Sequence, residues 1–313
     1  MEVVIIMNIY QEIDEFIKSK STESKNTIKS YKLDLMIYAR WLEFVGLNFL
    51  TASSIDISRF VVWLKTEKNN TMTCQNGICP RSINRKLSAI RMFYEYLLVK
   101  YPSMLNTNPV RNAHYYVLNR LLPRPVKEEV IDRLLNGVTC KKDKAIYMFF
   151  LSGGFRLDEL ISLDKDSIIL KGVWHRDREI RIGEVMVRGK GGIERIVYIN
   201  ESAFNTYLEY LLKERPHVSN TAIFLNRYGK RISARGVEKR LIWWCKKLGL
   251  PKFTIHQFRH TFATRMINLD VPIEILAQLL GHKSVHSTEI YAKISNKKVR
   301  DAYIVATQSV ANA

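Results

Sequence analysis

The chain has 313 residues, 47% of them apolar and 25% charged, which is long enough for two domains that each bury a core. Its 49 Lys and Arg outnumber 30 Asp and Glu, and the net charge of +19 favours a polyanionic partner, because phosphate contacts release counterions. No apolar run approaches the roughly 18–20 residues needed to cross a bilayer, so no helical membrane span is expected.

The basic excess extends over both halves. Residues 1–122 hold 16 basic and 10 acidic side chains, and the remainder holds 33 and 20, the pattern of a clamp gripping DNA from two sides. The opening Met1–Met7 is too short for a signal peptide and has no basic leader; Met7 is an alternative start. Cys74, Cys79, Cys140 and Cys245 fit free thiols in a reducing cytoplasm. Cys74 and Cys79 have no second Cys or His pair nearby, so no metal site is expected.

Residues 8–105 read as helices throughout. From Ile28, apolar side chains at Tyr31, Leu35, Tyr38, Leu42 and Val45 step by three and four along one stripe, and Gly46 supplies a stop. Asp56 is positioned to cap a helix whose buried face is Ile57, Phe60, Val61 and Leu64. The polar stretch Lys68–Pro80 reads as a loop, and Pro80 opens the next helix. In that helix Ile83, Leu87, Ile90, Tyr94 and Leu97 point inward. Arg81, Arg85, Lys86 and Arg91 point largely outward as candidate DNA contacts, or as a solvated face. Four short helices with one basic face make a bundle.

Residues 106–125 carry Asn108-Pro109, Pro123 and Pro125 among polar residues, a linker signature. Beyond it, residues 126–313 form a second domain. Helical patterns resume at Glu128–Leu135 and Lys144–Leu151. Three strands are expected at Ser167–Leu170, Glu184–Arg188 and Glu194–Ile199, with Lys190 in the turn Gly189-Lys-Gly-Gly192. Further helices fall near 201–214, 233–248, 257–269 and 272–280. The expected fold class is mainly α with a small antiparallel β-sheet.

Six residues in this second domain have the chemistry for metal-free attack on a phosphodiester: Arg156, Lys190, His256, Arg259, His282 and Tyr291. A tyrosine hydroxyl can displace an oxygen from phosphorus and keep the phosphate as a covalent ester. Charge gathering on the non-bridging oxygens needs fixed cations, for which the planar guanidinium fork is suited. The leaving sugar oxygen needs a proton, which lysine or histidine supplies. Glu159 lies at i+3 from Arg156, where its carboxylate can hold the guanidinium in one pose. His256 and Arg259 share that spacing and can face one phosphate. Each signal alone has a plain reading: a surface ion pair, a solvated loop lysine, a buried His260. Their order and conjunction give the signal its weight.

At these residues the sequence resembles the tyrosine recombinase, or phage integrase, superfamily. The matching stretches are Gly154-Phe-Arg156-Leu-Asp-Glu159-Leu, Gly189-Lys190-Gly, His256-Gln-Phe-Arg259-His260-Thr-Phe-Ala-Thr, Leu279-Leu-Gly-His282 and Thr288-Glu-Ile-Tyr291. The likeness extends over roughly residues 8–300. It implies an N-terminal helical core-binding, SAM-like domain and an α+β catalytic domain. It also implies that Arg156 and Arg259 clamp the scissile phosphate while His256 donates a further hydrogen bond. Lys190 would protonate the leaving 5′ oxygen, His282 brace the phosphate, Tyr291 form a 3′-phosphotyrosyl link and Glu159 orient Arg156. Because the ester stores the bond energy, neither metal nor nucleotide cofactor is required.

Two departures from the family pattern are mild: Phe258 stands where leucine is usual, and Gly153-Gly154-Phe155 replaces Thr-Gly-Leu. The segment Lys171–Arg181 looks longer than the usual first hairpin. No arm-binding domain precedes the bundle, which suggests a simple Xer-like enzyme, although transposon-borne recombinases share the layout. The tail Asn296–Val310 reads as a short helix that packs on its own domain or, as the resemblance implies, on a neighbouring subunit in a homotetramer on two DNA duplexes. Two other readings stand beside this one. The first is a type IB topoisomerase-like relaxing enzyme. The second is a non-catalytic DNA-binding regulator, since Val271–Ile290 has a passing likeness to a helix-turn-helix.

Overall fold

Apolar residues spaced by three and four build four helices in the first unit of the computed structural model. They are α1 (Ile9–Ser19), α2 (Lys25–Val45), α3 (Ser54–Thr66) and α4 (Pro80–Lys100). The structure describes residues 7–66, 78–111, 115–116, 124–175, 178–189, 194–281 and 288. Helix starts follow local chemistry. The Asn8 and Ser24 side chains accept the backbone N–H of Tyr10 and Thr27, and Pro80 occupies the first turn of α4. Helix α2 ends where Gly46 turns left-handed at φ 69°.

Helix α3 begins differently from the expectation. Ser53 stands just before it, its hydroxyl accepting the Asp56 N–H at 3.4 Å, and Asp56 sits in the first turn. There its carboxylate accepts the Ser53 N–H at 3.0 Å and the Ser53 hydroxyl at 2.7 Å. The reciprocal arrangement satisfies helix-end donors from both sides. The core of this unit is aromatic: Phe16, Tyr38, Trp41, Phe60, Phe93 and Tyr94 are all buried. The Tyr38 and Tyr94 hydroxyls meet at 2.9 Å, and Tyr94 donates to the Phe49 carbonyl at 2.7 Å, so the buried phenols keep their hydrogen bonds. Of the expected α2 stripe, Leu35, Tyr38 and Leu42 are buried, whereas Val45 at the helix end is 41% exposed.

The chain divides into two units, residues 1–120 and 121–313. The second contains α5 (Glu128–Gly137), α6 (Lys141–Gly153), α7 (Leu157–Ser162), β1 (Ile168–His175), β2 (Arg178–Arg188), β3 (Glu194–Asn200), α8 (Glu201–Lys213), α9 (Ala234–Lys247), α10 (Ile255–Asn268) and α11 (Ile273–Leu280). The sheet is antiparallel in the order β1-β2-β3, with Val185 opposite Val197. Helix α6 packs against α8, α10 and β3 around buried Phe149, Phe150 and Phe258.

The first two strands are longer than the sequence suggested. An eight-residue ladder runs from Ile168 opposite Val185 to His175 opposite Arg178, so much of Lys171–Arg181 is regular hairpin. Ile169, Leu170 and Val173 are each more than 40% exposed. A ribbon exposed in this way has no one-sided apolar alternation to announce it.

The two departures from the family pattern have packing reasons. Phe258 stacks on Tyr147 and Phe150 with ring centroids 5.5 and 6.0 Å away, filling the centre of the core. Gly153 stands where threonine is usual, and a Cβ there would lie 2.7 Å from Val197 and closer still to the Phe155 ring, while Gly154, shared with the family pattern, ends α6 with φ 61°. Glycine is therefore needed for conformation and for space.

Candidate active site

The turn from α6 into α7 delivers the first arginine. Arg156 precedes α7, and Glu159 occupies the first turn. Glu159 accepts the Arg156 backbone N–H at 2.7 Å and its Nη1 at 2.8 Å, so one carboxylate fixes both main chain and guanidinium. The second arginine comes from α10, which starts at Thr254 with Gln257 reciprocating in a capping box. Arg259 lies one turn further on, 2% exposed and among the largest buried side chains. Its Nη1 donates to the Gly154 carbonyl at 2.7 Å and its Nη2 to the Leu280 carbonyl at 2.6 Å. Such bonds are what a buried cation requires.

Both arginines reach the end of α11. Arg156 Nη2 donates to the Gly281 carbonyl at 2.9 Å, next to the Leu280 carbonyl taken by Arg259. The C-terminal carbonyls of a helix carry partial negative charge and lack intrahelical partners, which makes this turn a natural seat for guanidinium groups. Gly281 ends the helix in the left-handed conformation at φ 61°, immediately before His282. Leu276 and Leu280 pack with Phe262 and Ala263 of α10, which holds the two helices together.

His256 is exposed at the start of α10, and its ring lies 4.4 Å from that of His260 in an edge-on pair. Both imidazoles are held below the usual histidine range. Desolvation leads for each; Arg259 and Arg156 add to it for His256. His260 is pushed down to about 4, with His256 and Arg259 contributing. At neutral pH both rings are therefore uncharged. For Glu159, burial acts to raise the carboxyl, but hydrogen bonds from Arg195 and from Arg156 outweigh it and the group stays ionised.

The structure thus brings together Arg156, Glu159, His256, Arg259 and His260. Lys190, His282, Tyr291 and the C-terminal segment 296–310 lie outside the described residues. One contributor was missed in the sequence: Arg195 on β3, whose guanidinium takes both oxygens of Glu159. Its signal is the strand alternation, since Arg195, Val197 and Ile199 share one face and the other two are core residues. An arginine on the inward face of a strand asks for a buried partner.

The four candidate DNA contacts lie on α4 in the first unit. Arg81 and Arg85 are exposed, and Arg91 is ion-paired with Glu95 at 3.0 Å. Lys86 corrects the expectation. It is 4% exposed, with its amine 2.8 Å from the fully buried Asp34, which Arg85 also reaches at 2.7 Å. Three residues after Ile83 and four before Ile90, it falls on their buried stripe, where it neutralises Asp34.

Residues 125–298 match the Phage integrase family, and residues 12–100 match its N-terminal SAM-like domain. The chain belongs to the phage integrase family, the tyrosine recombinases. It is accordingly a site-specific recombinase, an enzyme and not a regulator without catalysis. It is 30% identical over 304 residues to tyrosine recombinase XerC of Leptospira interrogans serogroup Icterohaemorrhagiae serovar copenhageni, covering 92% of this chain and 89% of that one. With tyrosine recombinase XerC of Herpetosiphon aurantiacus it shares 30% identity over 318 residues, 97% of each chain. Its fold is similar to that of the XerH site-specific recombinase bound to palindromic difH substrate in a post-cleavage complex. There the TM-score is 0.70 at 16% identity, covering 94% of this chain and 84% of that one.

Proposed function

We propose that this recombinase cuts and rejoins double-stranded DNA at a specific site through a covalent 3′-phosphotyrosyl intermediate. Residues 8–105 serve as the DNA-gripping bundle, 106–125 as the linker and 126–313 as the catalytic domain. Arg156 meets the scissile phosphate from the exposed side and Arg259 from beneath, countering charge on its non-bridging oxygens. His256, as a neutral imidazole, donates one hydrogen bond, and His282 braces the same phosphate. Tyr291 Oη forms a bond to phosphorus as its phenol proton passes to solvent water. The bond from phosphorus to the 5′ oxygen breaks, and Lys190 gives that oxygen a proton. Religation reverses these steps with a 5′ hydroxyl from either the same or the exchanged strand. Four copies acting on two duplexes in the cytoplasm complete the reading.

The observation that carries it is the meeting of Arg156 and Arg259 on the adjacent carbonyls of Gly281 and Leu280. Two guanidiniums brought to one helix turn, with His256 one turn from Arg259, form a fixed cationic seat for a phosphate. Trapping tests it directly. Incubation with DNA and quenching in detergent is expected to leave a protein–DNA adduct. Tyr291→Phe is expected to bind DNA and leave none; an adduct persisting in that variant would assign the nucleophile elsewhere.

A further inference from the structure

We infer that Arg195 is a positioning residue for cleavage, acting through Glu159 and the end of α11 so that Arg156 keeps donors available for the phosphate. This rests on the phosphotyrosyl reading above and extends it to a residue outside the set of six.

The Arg195 side chain is 12% exposed and the Glu159 side chain 3% exposed, so their ion pair is shielded from water. Arg195 Nη1 and Nη2 engage the two carboxylate oxygens of Glu159, the second at 3.0 Å, in a bidentate fork. Its Nε donates to the Leu279 carbonyl at 3.3 Å. Its flat face lies against Gly281, where a Cβ would come within 2.8 Å of Arg195 Cδ and 2.9 Å of Nε. Thus Leu279, Leu280 and Gly281, three successive residues at the end of α11, each offer a carbonyl to a different arginine: Arg195, Arg259 and Arg156.

The consequence for Arg156 follows from the electrostatics of the shared carboxylate. A buried carboxylate facing one guanidinium draws it into a two-point fork and occupies both terminal nitrogens. Here Arg195 supplies that fork. The Arg156 guanidinium meets Glu159 through Nη1 alone, and its Nη2 turns to the Gly281 carbonyl. Among the described residues its other N–H groups have no partner, on a side chain that is 38% exposed. Among the described residues, Arg156 and Arg195 share Glu159 as their one carboxylate, so the cluster keeps a positive charge that a phosphate can answer. Arg195 also links three parts of the site. It stands on β3 five residues after Lys190 in the sequence, grips α7 through Glu159, and holds the end of α11, whose last residue precedes His282 by two in the sequence.

The test uses the full chain and a duplex recovered by binding selection from a random pool, with its cleavage position mapped by the trapped adduct. Two versions of the duplex are compared, one with the natural phosphate and one with a methylphosphonate at that position. The methyl group removes the charge of one non-bridging oxygen, so the transition state needs less from Arg156, whereas a damaged fold gains nothing from the change. Single-turnover adduct formation at saturating protein is measured for wild type, Arg195→Met and Arg195→Lys. On the phosphate duplex we expect Arg195→Met to be about 30-fold slower, within the roughly 10- to 100-fold typical of supporting-shell losses, and Arg195→Lys to recover part of the rate. Kd should stay within about threefold of wild type, because no phosphate contact has been deleted. On the methylphosphonate duplex the deficit should shrink to about threefold or less, since the missing charge stabilisation is no longer demanded.

Wild-type rates in Arg195→Met, or a deficit of equal size on both duplexes, overturn the inference. If Arg195→Met does not fold, Arg195→Lys decides by the same two comparisons. A wild-type enzyme that leaves no adduct at all removes the phosphotyrosyl reading and this inference together. A wild-type adduct with unaffected Arg195 variants removes this inference alone.

Discussion

Two sets of cations, one in each unit, are held in different ways. In the N-terminal bundle, cations are answered by carboxylates: Lys86 and Arg85 by Asp34, Arg91 by Glu95, Lys100 by Glu12 and Glu15. In the catalytic unit, Arg259 is held by the main-chain carbonyls of Gly154 and Leu280, and Arg156 by the Gly281 carbonyl beside Glu159. A carbonyl fixes a guanidinium without cancelling its charge. Lys86 and Lys100 therefore serve as structural ties, as do Arg231 with Asp164 and Arg240 with Asp143 in the second unit, while Arg156 and Arg259 are kept charged and aimed. The comparison warns against reading any arginine or lysine on a helix as a DNA contact before its partners are known.

The sharpest way to break that contrast is to remove one of the aimed guanidiniums. Arg259→Ala should slow adduct formation by about 10²- to 10³-fold at saturating protein, the cost of losing one transition-state donor. Affinity for DNA should change far less, because most binding free energy comes from many backbone contacts. Single-turnover trapping beside a binding titration checks this. A loss of affinity that matched the loss of rate would make Arg259 another binding cation.

Next comes Lys86→Ala, which probes a structural tie. Removing one partner of a buried pair leaves charge uncompensated, and because Arg85 still reaches Asp34 the cost is set at about 3 kcal/mol, the low end for such losses. Denaturant unfolding measures it. The folded fraction should bind and cleave DNA as wild type does, since the amine faces Asp34 and not solvent.

A smaller effect follows from His260. Its folded pKa, about 4, lies below the usual histidine value, so the unfolded chain binds a proton that the folded chain refuses. Stability is whole above the unfolded pKa of about 6.5 and is lost as pH falls from there toward 4, by about 2 kcal/mol after discounting for partial exposure. His260→Asn should flatten that part of the stability curve. An unchanged slope would mean that His260 takes up its proton in the folded state.

How far the sequence could be read follows the same division. The helices of the bundle were legible because each buries one stripe, and Leu35, Tyr38, Ile57, Phe60, Ile83 and Leu87 are all core residues. Lys86 was misread because a period of three and four does not tell an inward lysine from a flank lysine; only its partner Asp34, 52 residues earlier, does. In the catalytic unit the meeting of Arg156, His256 and Arg259 was legible from their spacing, and Glu159 from its place three residues after Arg156. The carbonyls that seat them were not, since a backbone oxygen has no signature in the sequence. Arg195 fell between these cases. The alternation with Val197 and Ile199 marked an inward arginine, but its partner is 36 residues away on another element.

Arg81 sharpens the comparison from the weakest side, because it is an exposed cation on the same helix as Lys86. Its replacement by alanine should leave unfolding free energy within about 0.5 kcal/mol of wild type, as for surface changes away from caps and ion pairs. If it touches a phosphate, the slope of log affinity against log salt should fall by about 0.9. The parent enzyme, if it contacts about six phosphates, should lose roughly 10³-fold in affinity between 50 and 200 mM salt. Arg91→Ala is the internal control, because breaking its pair with Glu95 also releases a carboxylate that repels DNA. A slope altered by Arg91→Ala but not by Arg81→Ala would place the DNA nearer the middle of α4 than its start. Equal slopes in both variants and wild type would move the first unit's DNA contacts off this helix.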